Sequence, residues 1–83
     1  MYYVYIVECS DKTYYTGSTN DIENRVKKHN TDKTGAKYTR SRRPVVLKYY
    51  EEHPTKSEAL VRENQIKNLT RRKKEELIQT AKT

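Results

Sequence analysis

Residues 2–18 read "YYVYIVECSDKTYYTGS": two β-rich stretches on either side of a short polar break. Tyr2–Glu8 alternates and is rich in β-branched and aromatic residues, which predicts a strand. Ser10, Asp11 and Lys12 form the loop, and Thr13–Gly17 is expected to return as the second strand of a hairpin. A three-residue loop pairs Cys9 with Thr13, so that partner numbers sum to 22. Any even sum places Tyr5 and Tyr15 on one face, with Val4, Ile6, Tyr14 and Thr16 on the other. An odd sum separates the two tyrosines and breaks up the apolar set, so the even register is expected. Gly17 then shares the Tyr5 face and leaves room for a ligand to approach the backbone. Cross-strand aromatic packing accounts for the same pattern.

All the aromatic bulk is phenolic. The 83 residues hold eight Tyr, no Phe and no Trp, and five of the eight lie in this stretch. Leu, Ile and Val supply only 14 residues, under the one-fifth level at which disorder competes with folding. The tyrosine rings restore enough apolar area for one small folded domain, expected to span residues 1–83. The net charge of +7 points to an anionic partner, with nucleic acid ahead of a membrane surface. A single cysteine, Cys9, rules out an internal disulfide and a cysteine-based zinc site. No apolar run is long enough to span a membrane, and residues 1–20 lack the charge and hydropathy pattern of a secretory signal. A cytoplasmic protein is the default expectation.

Beyond the hairpin, Asn20 with Glu23 has the form of a capping box, predicting a helix to about Asn30. Residues 31–43 are loop-like, polar and basic. Pro44 opens a third strand, Val45 to about Glu51. Thr55 with Glu58 is a second capping box, for a helix from about Lys56 to Asn68. Thr70 caps a last helix to about Gln79. The order is β-β-α-β-α-α, expected as an α/β fold with a small three-stranded mixed sheet flanked by helices.

Helical periodicity then separates the ordinary positions from the unusual one. In the first helix Ile22 and Val26 form the apolar stripe, and Arg25 and His29 lie one turn apart along its edge. There an Arg can snorkel, and a His is an ordinary surface residue. In the second helix Glu63 falls inside the stripe defined by Ala59 and Ile66. Burying an unpaired carboxylate is costly, so Glu63 needs a cation, a cleft or a raised pKa. Two cations are on offer: an ion pair, with Arg25 as a candidate, or a divalent metal.

Taken together these residues resemble the GIY-YIG nuclease family. "YVY" (Tyr3-Val4-Tyr5) stands at the first of its two naming motifs and "YTG" (Tyr15-Thr16-Gly17) at the second. Arg25 matches the family's helix arginine and His29 a histidine found one turn later in some branches. Glu63, in "REN" (Arg62-Glu63-Asn64), matches its metal-binding glutamate. The segment "GAKYTRSRRPVVL" and the short length resemble the small single-domain bacterial branch, UPF0213. Tyr3, Val4 and Thr16 depart from the motifs, at positions that carry no chemistry. A family Asn has two counterparts here, Asn64 or Asn68.

The resemblance implies an endonuclease that hydrolyses phosphodiesters with one divalent metal, Mg2+ or Mn2+, acting on DNA, branched or damaged DNA included. Glu63 would hold the metal, Arg25 the phosphate, and Tyr5 would serve as base. Tyr15 would orient water or a phosphate oxygen. A phenol with a pKa near 10 is a poor base at neutral pH, so His29 or Lys12 is expected to lower the Tyr5 value. Lys37, Arg40, Arg42 and Arg43 would contact nucleic acid, as would Arg71–Lys74, where four cations oppose the helix dipole. Solvated surface accounts for these clusters too. With one domain only, targeting would come from a protein partner or a homodimer. The alternatives are a binding module of the same fold with little or no turnover, and a basic scaffold for protein contacts.

Overall fold

A computed structural model describes residues 1–31 and 42–82. The elements are β1 (Tyr2–Glu8), β2 (Tyr14–Thr19), α1 (Ile22–Thr31), β3 (Val46–His53), α2 (Lys56–Lys67) and α3 (Arg71–Lys82). Their order is the expected one. Among the described residues no helix is long and apolar enough to cross a membrane.

The hairpin has the even register. Tyr5 pairs with Gly17, Ile6 with Thr16 and Val7 with Tyr15. The Cys9 amide donates to the Thr13 carbonyl at 2.8 Å, and Lys12 turns the chain at φ 70°. Asp11 braces the turn by accepting from the Thr13 amide and hydroxyl.

The sheet order is β2-β1-β3, and β1 is antiparallel to both neighbours. The expectation of a mixed sheet is therefore corrected. The crossover through α1 keeps β3 parallel to β2 but carries it past β1, so the only strand β3 touches runs the other way. A register shift between Ile6 and Val7 leaves Lys48 as the extra residue of β3. One extra residue flips all that precede it to the opposite face. Leu47 and Val45 thereby join the Tyr5 side of the sheet.

Each face carries its own core. Val4 and Ile6 pack beneath Ala59, Ile66 and Ile78 of α2 and α3, with Tyr2, Tyr14 and Tyr49 around them. Tyr5, Val7, Cys9 and Val45 form the second core, with Tyr15, Leu47 and Val26 of α1.

The helix caps follow the sequence in two cases of three. Thr55 accepts from the Glu58 amide at 3.2 Å, and Thr70 from the Lys73 amide at 3.3 Å. For α1 the cap is Asp21, not Asn20, and its carboxylate accepts from the Asn24 amide at 3.1 Å. Because β2 continues to Thr19 to pair with Tyr3, the helix begins later than the Asn20 pattern implies. After α1, the Asn30 side chain clamps Val45 by accepting from its amide at 2.7 Å and donating to its carbonyl at 3.1 Å.

Candidate active site

The site forms along β2, one edge of the sheet, where side chains from both layers meet. Tyr5 comes from the central strand and is 1% exposed. Its ring lies over Gly17: a Cβ built on Gly17 would stand 2.5 Å from the Tyr5 hydroxyl oxygen. The space at Gly17 thus belongs to Tyr5, which corrects the expectation of a glycine kept open for a ligand.

His29 is also corrected. It is 1% exposed, not a surface residue, and its Nε2 lies 2.9 Å from the Tyr5 hydroxyl. The imidazole packs edge-on between Tyr5 and Tyr15, with ring centroids at 5.9 and 5.3 Å. Helical periodicity placed it at the rim. Tyr5 and Tyr15 of the sheet cover that rim, and no single-helix projection contains those partners.

The electrostatics set the protonation states. Burial raises the Tyr5 pKa far above the ordinary phenol value, and Tyr15 and Glu63 add to the rise. The Arg25 guanidinium faces the same hydroxyl and opposes this, without overcoming it. The expected lowering of Tyr5 does not occur, and the opposing cation is Arg25 rather than His29 or Lys12. His29 moves down, first through burial and then through the charges of Arg25 and Arg43, so it is neutral at pH 7. A neutral imidazole within hydrogen-bond reach of a protonated phenol can accept that proton if the phenol oxygen gains another in the same step.

Glu63 reaches the edge of β2 from α2. Its side chain is 14% exposed, which bears out the inward placement read from periodicity. Ser18 donates to Oε1 at 2.6 Å, and the Lys67 ammonium donates to Oε2 at 2.6 Å. The ion pair is therefore made by Lys67, one helical turn on, and not by Arg25. Sequence reasoning missed both partners. Lys67 was legible as a Glu–Lys pair four apart; Ser18 carried no signal. The Glu63 hydrogen bond holds the Lys67 pKa above the ordinary lysine value against a smaller effect of burial, and the Tyr15 phenol adds to the rise. Lys67 therefore stands within electrostatic reach of Tyr15 as well as Glu63.

The remaining sequence candidates divide. Arg42 pairs with Asp11 of the hairpin turn at 2.9 Å. The Arg43 guanidinium donates to the His29 carbonyl in the last turn of α1. Both are engaged within the fold, joining the approach to β3 to the hairpin and helix. Lys37 and Arg40 lie outside the described residues. Arg71 stacks on Tyr14, 4.4 Å from the ring centroid, and pairs with Glu75 at 3.0 Å. Asn68 closes α2, its amide and side chain donating to the Asn64 carbonyl. Other tyrosines also have uses for their polar tips. Tyr49 donates to Glu51 at 2.5 Å, and its own pKa is pushed up to about 12, by burial and then by Glu51.

Two phenols, a guanidinium, a buried imidazole and one carboxylate thus gather at one edge. A family model, the GIY-YIG catalytic domain, matches residues 1–76. The chain belongs to the GIY-YIG family. A UPF0213 protein of Haloquadratum walsbyi is 57% identical over 76 residues, covering 92% of this chain and 84% of that protein. One from Staphylococcus aureus is 57% identical over 77 residues and 93% of each chain. Among solved structures, the solution NMR structure of a UPF0213 protein from Bacillus halodurans is 48% identical and matches with a TM-score of 0.61. It covers 96% of this chain and 85% of that one. A protein from E. faecalis is 42% identical, with a TM-score of 0.64 over 95% of this chain and 83% of its own. The GIY-YIG domain suggests a nuclease and an interaction with nucleic acid.

The donor set fits a hard divalent ion. Mg2+ takes one or two carboxylates and keeps the rest of its shell as water and phosphate oxygens. Glu63 supplies one carboxylate, and Ser18 fixes one of its oxygens. Among the described residues no group of three or more His, Cys, Asp or Glu converges as a metal cage. An ion held this way would draw much of its affinity from the phosphate of a bound strand.

Proposed function

We propose that this GIY-YIG domain is a metal-dependent endonuclease that hydrolyses phosphodiester bonds in DNA. The observation that carries this reading is the gathering of Tyr5, Tyr15, Arg25, His29 and Glu63 from four elements along the edge of β2. Arg25 is an exposed residue of α1 whose guanidinium faces the Tyr5 hydroxyl, and a guanidinium suits bidentate capture of a phosphate. It would also stabilise charge growing on the phosphate oxygens.

Tyr5 and His29 supply a route for the proton. The attacking water gives a proton to the Tyr5 oxygen as the phenol's own proton passes to His29 Nε2. The phenol is restored, the imidazole becomes the cation, and no free phenolate is needed. This route answers the raised pKa of Tyr5, which otherwise disqualifies it as a base. Tyr15, edge-on to His29, is placed to orient the water or a phosphate oxygen. Mg2+ or Mn2+ held by Glu63 would act as Lewis acid on the phosphate.

The test is nicking of a supercoiled plasmid, and of a branched DNA, with and without Mg2+. The expected result is Mg2+-dependent nicking that is lost in Glu63→Gln and Tyr5→Phe while DNA binding survives. DNA binding with no nicking in any divalent metal would instead support a binding module of the same fold. The engagement of Glu63 by Lys67 favours that second reading.

A further inference from the structure

The Glu63 carboxylate already has a cation. Lys67 Nζ donates to Oε2 at 2.6 Å while Ser18 Oγ donates to Oε1 at 2.6 Å. The two donors differ in how firmly they are placed. Ser18 is a short side chain on a strand paired with Val4. Lys67 is 46% exposed, in the last turn of α2, on a flexible four-carbon stem. A hydroxyl leaves the carboxylate anionic, whereas an ammonium neutralises it. A divalent ion at Glu63 would meet a fixed hydroxyl on one oxygen and a displaceable monovalent cation on the other.

We propose that Lys67 is the exchangeable counter-ion of Glu63: it holds the carboxylate inward when no metal is bound and competes with the metal for Oε2. This rests on the reading of Glu63 as the metal-binding residue. Two consequences follow from the geometry. The protein tolerates Glu63 in a largely buried position without metal, because Lys67 removes the cost of an uncompensated charge. Metal affinity is also held down, since binding requires the ammonium to leave. The displaced Lys67 remains beside Tyr15, where it adds positive charge at the strand edge proposed to receive phosphate.

The probe is Mn2+ alone, its binding followed by the loss of the free-ion electron paramagnetic resonance signal, with no DNA present. The proteins are the parent chain, Lys67→Met, Lys67→Gln, Lys67→Arg and Glu63→Gln, each checked for folding by circular dichroism. Lys67→Met and Lys67→Gln are expected to bind Mn2+ about fivefold more tightly than the parent, as befits loss of one partly exposed pair. Lys67→Arg, which keeps the charge, is expected to return the affinity toward the parent value. Equal or weaker binding in both neutral variants, with Glu63-dependent binding intact in the parent, would overturn the counter-ion role and leave the metal reading standing. Mn2+ binding that is absent, or unchanged by Glu63→Gln, in parent and neutral variants alike would overturn both.

Discussion

On one face of the sheet Val4 and Ile6 lie beneath Ala59, Ile66 and Ile78, an aliphatic core. On the other, Tyr5 lies beneath α1 with its hydroxyl on His29, and Val7 and Val45 fill in around it. Both faces come from one strand, whose residues alternate between them. The centre of the aliphatic side needs only volume and shape, and its polar tips, such as the Tyr49 hydroxyl on Glu51, lie around it. The tyrosine side has a polar group at its centre, where the Tyr5 hydroxyl meets His29 and Arg25. The same residue can then serve packing and chemistry together, as Tyr5 does over Gly17. Glu63 links the two, since α2 covers the aliphatic face, where Ser18 holds the carboxylate, while its charge acts on Tyr5 across the edge.

This contrast can be broken by substitutions that hit one face alone. The largest effect is expected for Arg25→Ala, which should lower plasmid nicking by about 10³-fold, the scale for loss of one transition-state donor. Its urea midpoint should barely move. Ile66→Ala, on the aliphatic face, should do the reverse: about 3 kcal/mol of stability lost in urea unfolding, from a cavity in the core. Nicking by the folded fraction should persist. Parallel losses of stability and activity in both variants would dissolve the distinction.

Gly17→Ala sharpens it, because the new methyl would enter the space of the Tyr5 phenol. A loss of about 2 kcal/mol is expected from overpacking, together with reduced nicking. Adding Tyr5→Phe should recover part of the stability and none of the activity. A double mutant whose stability is the sum of the singles would show that the phenol does not limit the site.

A smaller effect is expected from His29. Its folded pKa lies below its unfolded value, so between the two the unfolded chain binds the extra proton. Stability should therefore fall as pH drops from about 7 through the ordinary histidine value of about 6.5. The loss is complete once the pH is below the folded pKa. His29→Gln should flatten this part of the profile relative to the parent; an unchanged slope in urea titrations would refute the assignment. The least is expected of Arg42→Ala. Its pair with Asp11 is solvent-exposed, and such pairs contribute little, so the urea midpoint should stay within error.

Local features were readable wherever their cause was local. The hairpin register followed from alternation plus the length of the Ser10–Lys12 loop. Thr55 and Thr70 capped their helices as their neighbours required. Glu63 stood out because a carboxylate interrupted a 3.6-residue stripe. The α1 cap was misread because pairing of Thr19 with Tyr3, a contact across strands, shifted the start of the helix.

The partners across elements were hidden for the same physical reason. A helical wheel gives the angle of His29 on α1 and says nothing of the height of the sheet beneath it, so its burial between Tyr5 and Tyr15 was invisible. The alternation of β2 put Gly17 on the Tyr5 face without showing that the phenol would fill the gap. The antiparallel sheet and the Lys48 bulge were settled by where β3 docks after its crossover. The residue types and the faces they occupy are thus properties of the chain, because side-chain direction repeats with backbone geometry. The 2.9 Å contact of Tyr5 with His29 and the capture of Glu63 by Ser18 belong to the tertiary structure, because only packing of separate elements brings residues 24 and 45 positions apart within reach of a hydrogen bond.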